Sequence, residues 1–312
     1  MTEPAHPPAQ ESAPNPERTD RRLRGLGLTA GLLLVCFGRP LFALGKFAIG
    51  SELYSYILLV PFISLYLGWI GRKTLPPASA PDGGVGAILL AAGAAALAGF
   101  WVAKVSGAAL ALEDSLALLA LSFVLLLLGA CALFLGKLTF RALAFPLGFL
   151  VFIVPMPVML NEWIETFLQQ GSAAVAYAFF KAAGTAVFYQ DLVFRLPGFS
   201  MQVAPECSGI HSSLVLFITS LLAGHLFLRT AWKRTVLAVA VIPLALLRNG
   251  FRVFTIGELC VHISPDMINS YIHRRGGPVF FLLSLVPFFL LLLFLMKSDR
   301  PAAPAESPPP KA

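Results

Sequence analysis

The chain has 312 residues, 57% of them hydrophobic and only 12% charged, with a mean hydropathy of +0.80. A soluble domain carries about 25% charged residues, so a soluble globular protein is excluded and an all-α, polytopic membrane protein is predicted. The net charge of +7 does not point to nucleic acid, because the basic residues flank apolar runs, where membrane topology places them.

Residues 1–20, rich in Pro, Glu and Ala, read as a disordered tail. Arg18, Arg21, Arg22 and Arg24 precede a first apolar span at 25–44. No small-residue cleavage site follows, so an uncleaved span is expected. The second span is 53–70, closed by Arg72 and Lys73 and followed by a Pro/Gly loop at 75–84. The third, 85–103, is thick with Ala and Gly, which suits close helix packing. The fourth, 115–136, is closed by Lys137 and Arg141, and the fifth is 142–160. Spans two to five each run about 18 residues or more without a charge, enough to cross a hydrocarbon core.

Residues 161–183 differ. Trp163, Ile164, Phe167, Leu168, Val175, Ala178 and Phe179 recur at helical spacing, with Glu162, Glu165 and Gln169 mostly opposite. This predicts an amphipathic helix lying on the membrane surface, ended by Gly184. Phe199, Met201 and Val203 then alternate with Ser200 and Gln202 after Pro197-Gly198, which predicts a short hairpin. The sixth span is 207–228, followed by Arg229, Lys233 and Arg234; the seventh starts near Thr235 and carries Arg248, Asn249 and Arg252 toward its far end. A polar loop with Glu258, His262, Asp266 and His273 leads to the eighth span, 278–296. Residues 299–312 read as a second disordered tail. The expected architecture is one membrane-embedded domain over 21–298, with eight spans, one interfacial helix and one hairpin. Placing the basic clusters inside puts both termini in the cytoplasm.

That topology gathers chemistry. Pro205 suits a helix start, so Cys207 falls in or beside a first turn, where unpaired N–H groups and the helix dipole favour a thiolate. Ser208 and Gly209 are small enough to let a substrate approach. Arg252 lies about 18 residues into the seventh span, about 27 Å along its axis, at the same face as Cys207. His273, just before the eighth span, joins them. Arg248, one turn before Arg252, reads as a pair partner or a substrate contact. His211, His225 and His262 rival His273 as a base, His211 most strongly. Glu206 either orients a histidine or arginine or caps the helix start. Cys36 and Cys131 read as packing residues, and a Cys207–Cys260 disulfide would silence the thiol. A serine hydrolase lacks its G-x-S-x-G elbow here, and a zinc protease lacks its H-E-x-x-H. No metal spacing is present and no cofactor is expected.

In order, Pro205-Glu-Cys207-Ser-Gly-Ile-His-Ser212, Arg248-Asn-Gly-Phe-Arg252-Val and His273-Arg-Arg-Gly-Gly277 resemble the exosortase/archaeosortase family of membrane sorting enzymes. Its CSG, N-x-x-R and H-x-x-x-G motifs fall on Cys207-Ser208-Gly209, on Asn249 with Arg252, and on His273 with Gly277. The resemblance covers about 142–295. It implies a cysteine peptidase or transpeptidase of the plasma membrane, acting at the extracytoplasmic face. Its substrates would be exported proteins with a C-terminal sorting signal: a short motif such as Pro-Glu-Pro, a transmembrane helix and a basic end. Within that resemblance Cys207 is the nucleophile, His273 the base and Arg252 the stabiliser of the oxyanion or of the motif's carboxyl end. A different class remains, a non-catalytic membrane component of polysaccharide assembly or export.

Overall fold

The computed structural model describes residues 16–76, 80–205, 208–269 and 276–298. They form two units, Met1–Val158 and Met159–Ala312.

The first unit opens with α1 (Pro16–Cys36) and α2 (Gly38–Gly50), which meet at a 67° bend. Pro40 explains the break: it has no N–H to give the carbonyl four residues back, and its ring crowds that carbonyl. The predicted first span is therefore two helices, and helix already occupies residues 16–20 of the predicted tail. Pro61 acts the same way on the predicted second span. It sits in the first turn of α3 (Val60–Gly71), leaving a 3₁₀ turn at Ser55–Leu58 before it. The 12 residues of α3 reach about 18 Å, short of a hydrocarbon core of about 30 Å.

The next two helices follow the sequence closely. α4 (Gly83–Val105) and α5 (Leu112–Leu135) pack tightly, and a Cβ on Gly93 would stand 2.9 Å from Leu126. Ser122 also donates to the Gly93 carbonyl at 2.8 Å. After α6 (Lys137–Ala142), the fifth predicted span is broken into α7 (Ala144–Phe149), a 3₁₀ turn at Leu150–Ile153 and the first residues of the helix Val158–Ala183. Four basic residues of this unit gather at one end. Gly25 lies against Phe134, Lys137 N–H donates to Ala80 O at 3.0 Å, and Gly68 faces Leu143. These contacts put Arg24, Arg72, Lys137 and Arg141 at one end. At the other, Asp114 accepts from Val158 N–H at 2.9 Å.

The second unit holds α8 (Val158–Ala183), a three-stranded antiparallel sheet of β1 (Phe188–Gln190), β2 (Val193–Leu196) and β3 (Phe199–Gln202), then α9 (Ile210–Phe227), α10 (Ala231–His262) and α11 (Gly277–Ser298). Pro243 and Pro287 are accommodated inside α10 and α11. The predicted hairpin is β2–β3, closed at Leu196↔Phe199 with Gly198 at φ 72°. The sequence missed β1. Its loop, Asp191-Leu192, has both residues at positive φ (50° and 63°), as a type I′ turn needs, but without the Asn-Gly or Asp-Gly that signals one. Leu192 is held there by packing on the core and by its carbonyl, which accepts from Val203 N–H at 2.9 Å.

The structure corrects which face of 161–183 is packed. α8 runs alongside α10 in the same direction, with contacts at Gly171–Leu246, Val175–Gly250 and Phe180–Gly257. A Cβ on Gly250 would stand 2.5 Å from Val175, so only glycine admits this approach. The packed stripe is Leu168, Gln169, Ser172, Ala173, Ala176 and Phe180, while Trp163 and Phe167 stay exposed. Ser172, Ala173 and Ala176 form the middle of the buried face, between Leu168 and Phe180. Gly184, at φ 78°, ends the helix as predicted. Among the described residues five helices are long and apolar enough to cross a membrane, and two bent pairs bring the number to seven, where the sequence predicted eight. Pro40 and Pro61 break the first two predicted spans, and the fifth is interrupted at 154–157.

In this unit Lys233 reaches Ser298 at 3.4 Å and Arg234 donates to Leu228 O at 3.0 Å, so Arg229, Lys233, Arg234 and Lys297 share one end. The sheet sits at the other. Topology reporters fused after Lys73, Arg141 and Arg234 are expected to read cytoplasmic, and those near Gly184 and Asp266 extracytoplasmic. A reporter at Gly184 that reads with Arg234 would contradict this arrangement.

Candidate functional site

Glu206, Cys207 and His273 lie outside the described residues. The site is therefore built from what flanks them, and it starts with the sheet. Phe194 and Met201 pair across β2–β3 and face the core, joined by Tyr189 from β1. Phe194 packs on Phe180 of α8 with ring centroids 5.5 Å apart, and Leu196 approaches Gly257 of α10. Cross-strand aromatic and aliphatic pairs of this kind hold a small sheet in register. The sheet then delivers Val203 in a fixed position. Val203 N–H donates to Leu192 O, and its own carbonyl accepts from Gln169 Nε2 at 2.5 Å. Gln169 was predicted on the polar outer side of its helix; it is buried and anchors the chain four residues before Cys207.

Beyond the gap, Ser208 is buried, and its N–H donates to Pro205 O at 2.9 Å. Gly209 is the N-cap of α9 with φ 72°, a left-handed conformation that costs an L-residue about 1–2 kcal/mol. It also has no room for a side chain. A Cβ would stand 2.9 Å from Arg248 Nη2 and 3.0 Å from Asn249 Oδ1. The Gly209 carbonyl gathers donors: Ser213 N–H at 3.0 Å, Ser213 Oγ at 2.8 Å, Ser212 Oγ at 3.1 Å and Arg248 Nη2 at 3.1 Å. Arg248 Nη2 also reaches Ser213 Oγ at 3.2 Å.

The structure thus brings Ser208, Gly209, Arg248 and Asn249 together, and adds Ser213, which sequence reasoning did not single out. Its signal was present: a serine four residues after a helix-capping glycine, on the side facing the next helix. Arg248 is 8% and Asn249 2% exposed. A buried guanidinium is costly unless hydrogen-bonded, and inside a membrane segment an ionisable residue marks function by default. Arg248 Nη1 is buried without a hydrogen-bond partner among the described residues. Arg252, half-buried, follows one turn later, about 6 Å further along α10.

The rival histidines separate. His211 is exposed on α9, while Ser208 and Ser213 to either side of it in sequence are buried. It faces away from the Arg248–Asn249 cluster. His225 sits in the last turn of α9, at the basic end. His262 is engaged elsewhere: its Nε2 lies 2.9 Å from Glu258 Oε2, and Glu258 Oε1 accepts from Thr185 Oγ1 at 2.5 Å. Cys260 is buried, its Sγ 3.8 Å from Pro265 O. Cys131 is buried in α5, and Cys36 is exposed at the end of α1.

Gly209→Ala is expected to lower thermal stability by more than Gly198→Ala does, as measured by melting in detergent. Both glycines have φ 72°, but nothing lies within 4 Å of a Cβ at Gly198. Equal losses would mean that backbone strain alone matters and that contact with Arg248 and Asn249 is slack.

Residues 46–290 match the family model for the transmembrane exosortase (Exosortase_EpsH). No curated protein and no solved structure matches the chain.

Proposed function

Because the chain belongs to the transmembrane exosortase family, we propose that it is a membrane cysteine peptidase or transpeptidase that cleaves C-terminal sorting signals of exported proteins. The observation that carries this reading is the clamp on α9. Gly209, two residues after Cys207, is held by a hydrogen bond from Arg248 to its carbonyl and by close packing on Asn249, about one turn from Arg252.

In this mechanism the Cys207 thiol gives its proton to His273, and the thiolate attacks the scissile carbonyl. The oxyanion that forms is stabilised by the Arg252 guanidinium. The tetrahedral intermediate collapses, the C–N bond breaks, and the leaving amine takes the proton from imidazolium. A thioester remains on Cys207, and water or a second nucleophile releases the acyl group. Arg248 and Asn249 act as positioning residues, fixing the helix start that carries the thiol. Ser208 and Gly209 leave the approach to sulfur open, and Glu206 orients or caps. The site faces the extracytoplasmic side, both termini are cytoplasmic, and the catalytic part is 142–295 within the domain 21–298. Besides the tailed protein substrate, the partners are membrane lipids.

The test follows the size of a tailed substrate in membranes carrying each variant. Cys207→Ala is expected to insert normally and abolish processing, and Cys207→Ser to be almost as inactive, because a base tuned to a thiol deprotonates a hydroxyl poorly. His273→Ala is expected to be severely impaired, and the cysteine variants Cys36→Ala, Cys131→Ala and Cys260→Ala nearly silent. Full processing by Cys207→Ala would end the cysteine-enzyme reading in favour of a non-catalytic assembly component. Processing that survives His273→Ala but fails with His211→Ala would move the base to α9.

Arg252→Lys is expected to lower turnover by about 10²-fold or more with unchanged protein level, since lysine cannot reproduce the planar fork of the guanidinium. Near-normal turnover would reduce Arg252 to a residue of membrane topology.

A further inference from the structure

The first unit contains a groove that the peptidase reading does not use. It lies between α3 and the antiparallel α7 with its following turn, and has a volume of about 870 Å³. Its walls come from Phe62, Leu65, Trp69, Leu147 and Leu150, among others, and Arg72 is the one charged residue lining it among the described residues. The groove follows from the two prolines that shorten its walls. α3 starts only at Val60, with Pro61 in its first turn, and α7 runs just six residues around Pro146. The two short helices are tied at mid-length, where Ser64 Oγ donates to Pro146 O at 2.6 Å. That bond occupies the hydroxyl, so the groove's length is apolar in practice. Gly68, opposite Leu143, adds no side chain to fill it.

Its ends are unlike. At one end the Arg72 guanidinium lies 4.2 Å from the centroid of the Trp69 ring, a geometry that holds the cation in place. Lys73 follows. Arg141 comes level with them, because the contacts Ser64–Pro146 and Gly68–Leu143 run antiparallel toward it. Arg72, Lys73 and Arg141 are exposed, and none has a carboxylate partner among the described residues. The acids nearby are committed: Asp82 caps α4 through Val85 N–H at 3.2 Å, and Asp20 pairs with Arg24 at 2.7 Å. The acids Glu113 and Asp114 stand at the opposite end.

We propose that this groove binds an anionic phospholipid, with an acyl chain along Phe62, Leu65 and Leu147 and the phosphodiester on Arg72, assisted by Lys73 and Arg141. An apolar groove that ends beside Trp69 in cations without a carboxylate partner among the described residues matches that ligand in both its parts. The charge argues against a sorting-signal helix as occupant. Such a helix ends in basic residues at the cytoplasmic face, where Arg72 and Lys73 would repel it. The proposal is independent of the peptidase reading.

The test is native mass spectrometry of the full chain in detergent, with phosphatidylglycerol and phosphatidylcholine of matched acyl chains. The wild type is expected to retain phosphatidylglycerol at least fivefold over phosphatidylcholine. Arg72→Gln is expected to remove that preference. Leu65→Trp, at a residue 75% exposed and so outside the core, is expected to fill the groove and reduce binding of both lipids. Inorganic phosphate at millimolar concentration is expected not to displace the lipid, because the acyl chain supplies part of the affinity. Equal retention of the two lipids, unchanged binding in both variants, or displacement by inorganic phosphate would overturn the proposal. So would self-association or peptide binding that Leu65→Trp abolishes while lipid retention stays the same, since that would assign the groove to a helix.

Discussion

Placement of the candidate site depends on a buried guanidinium bonded to one backbone carbonyl. Arg248 donates to Gly209 O across the α9–α10 interface, with Asn249 packed beside it. The arrangement works only because position 209 has no side chain and can adopt a left-handed conformation. Ser213 completes it by bonding both the carbonyl and the guanidinium. A net hydrogen bond to a charged group contributes about 1.5–3 kcal/mol, and leaving such a donor buried and unmet costs comparably. The start of α9 is therefore fixed relative to α10, and Arg252 comes with it as part of the same rigid helix.

The rest of the second unit defends that contact from the other side of the chain. The sheet, Phe180 of α8 and Val253 of α10 form one apolar cluster. From it Val203 is presented between the Leu192 carbonyl and the Gln169 amide. Residues 203 and 208 are thus pinned by separate sets of bonds, and the stretch between them carries Glu206 and Cys207. Close helix packing at Gly171 and Gly250 sets the level of α8 against α10, so Gln169 can reach its partner. Loss of any one of these glycines would act on the site without touching a polar residue.

Much of this was legible in the sequence. Composition indicated the class, the alternation of spans put Cys207 and Arg252 at one face, and the family motifs added Gly209 and Asn249. The β2–β3 turn was legible from Pro197-Gly198, since that pair has a specific backbone demand. Three features were not legible. Pro40 and Pro61 sit inside apolar runs that satisfy a hydropathy count, while Pro243 and Pro287 sit in similar runs and are accommodated; composition does not distinguish them. Gln169 looked like surface because Trp163 and Phe167 marked the apparent apolar face, whereas the packed stripe runs through Gln169, Ser172, Ala173 and Ala176 between Leu168 and Phe180. Asp191-Leu192 turns with positive φ only because tertiary packing holds Leu192. In each case a contact far away in sequence decided a local question. The motif residues Glu206, Cys207 and His273 were legible as chemistry, and the family match over residues 46–290 agrees with the resemblance they carry.

The central claim is that Cys207 forms a covalent acyl-enzyme at the helix start that Arg248 and Asn249 hold. It is tested most directly by intact-mass and peptide-level mass spectrometry of the purified full chain after brief incubation with a tailed substrate and acid quench. The account predicts an adduct with the mass of the substrate's N-terminal fragment less water, located on Cys207 and released by hydroxylamine as a thioester would be. Substrate cleavage with no adduct on Cys207, or with an equally abundant adduct on another residue, would contradict it.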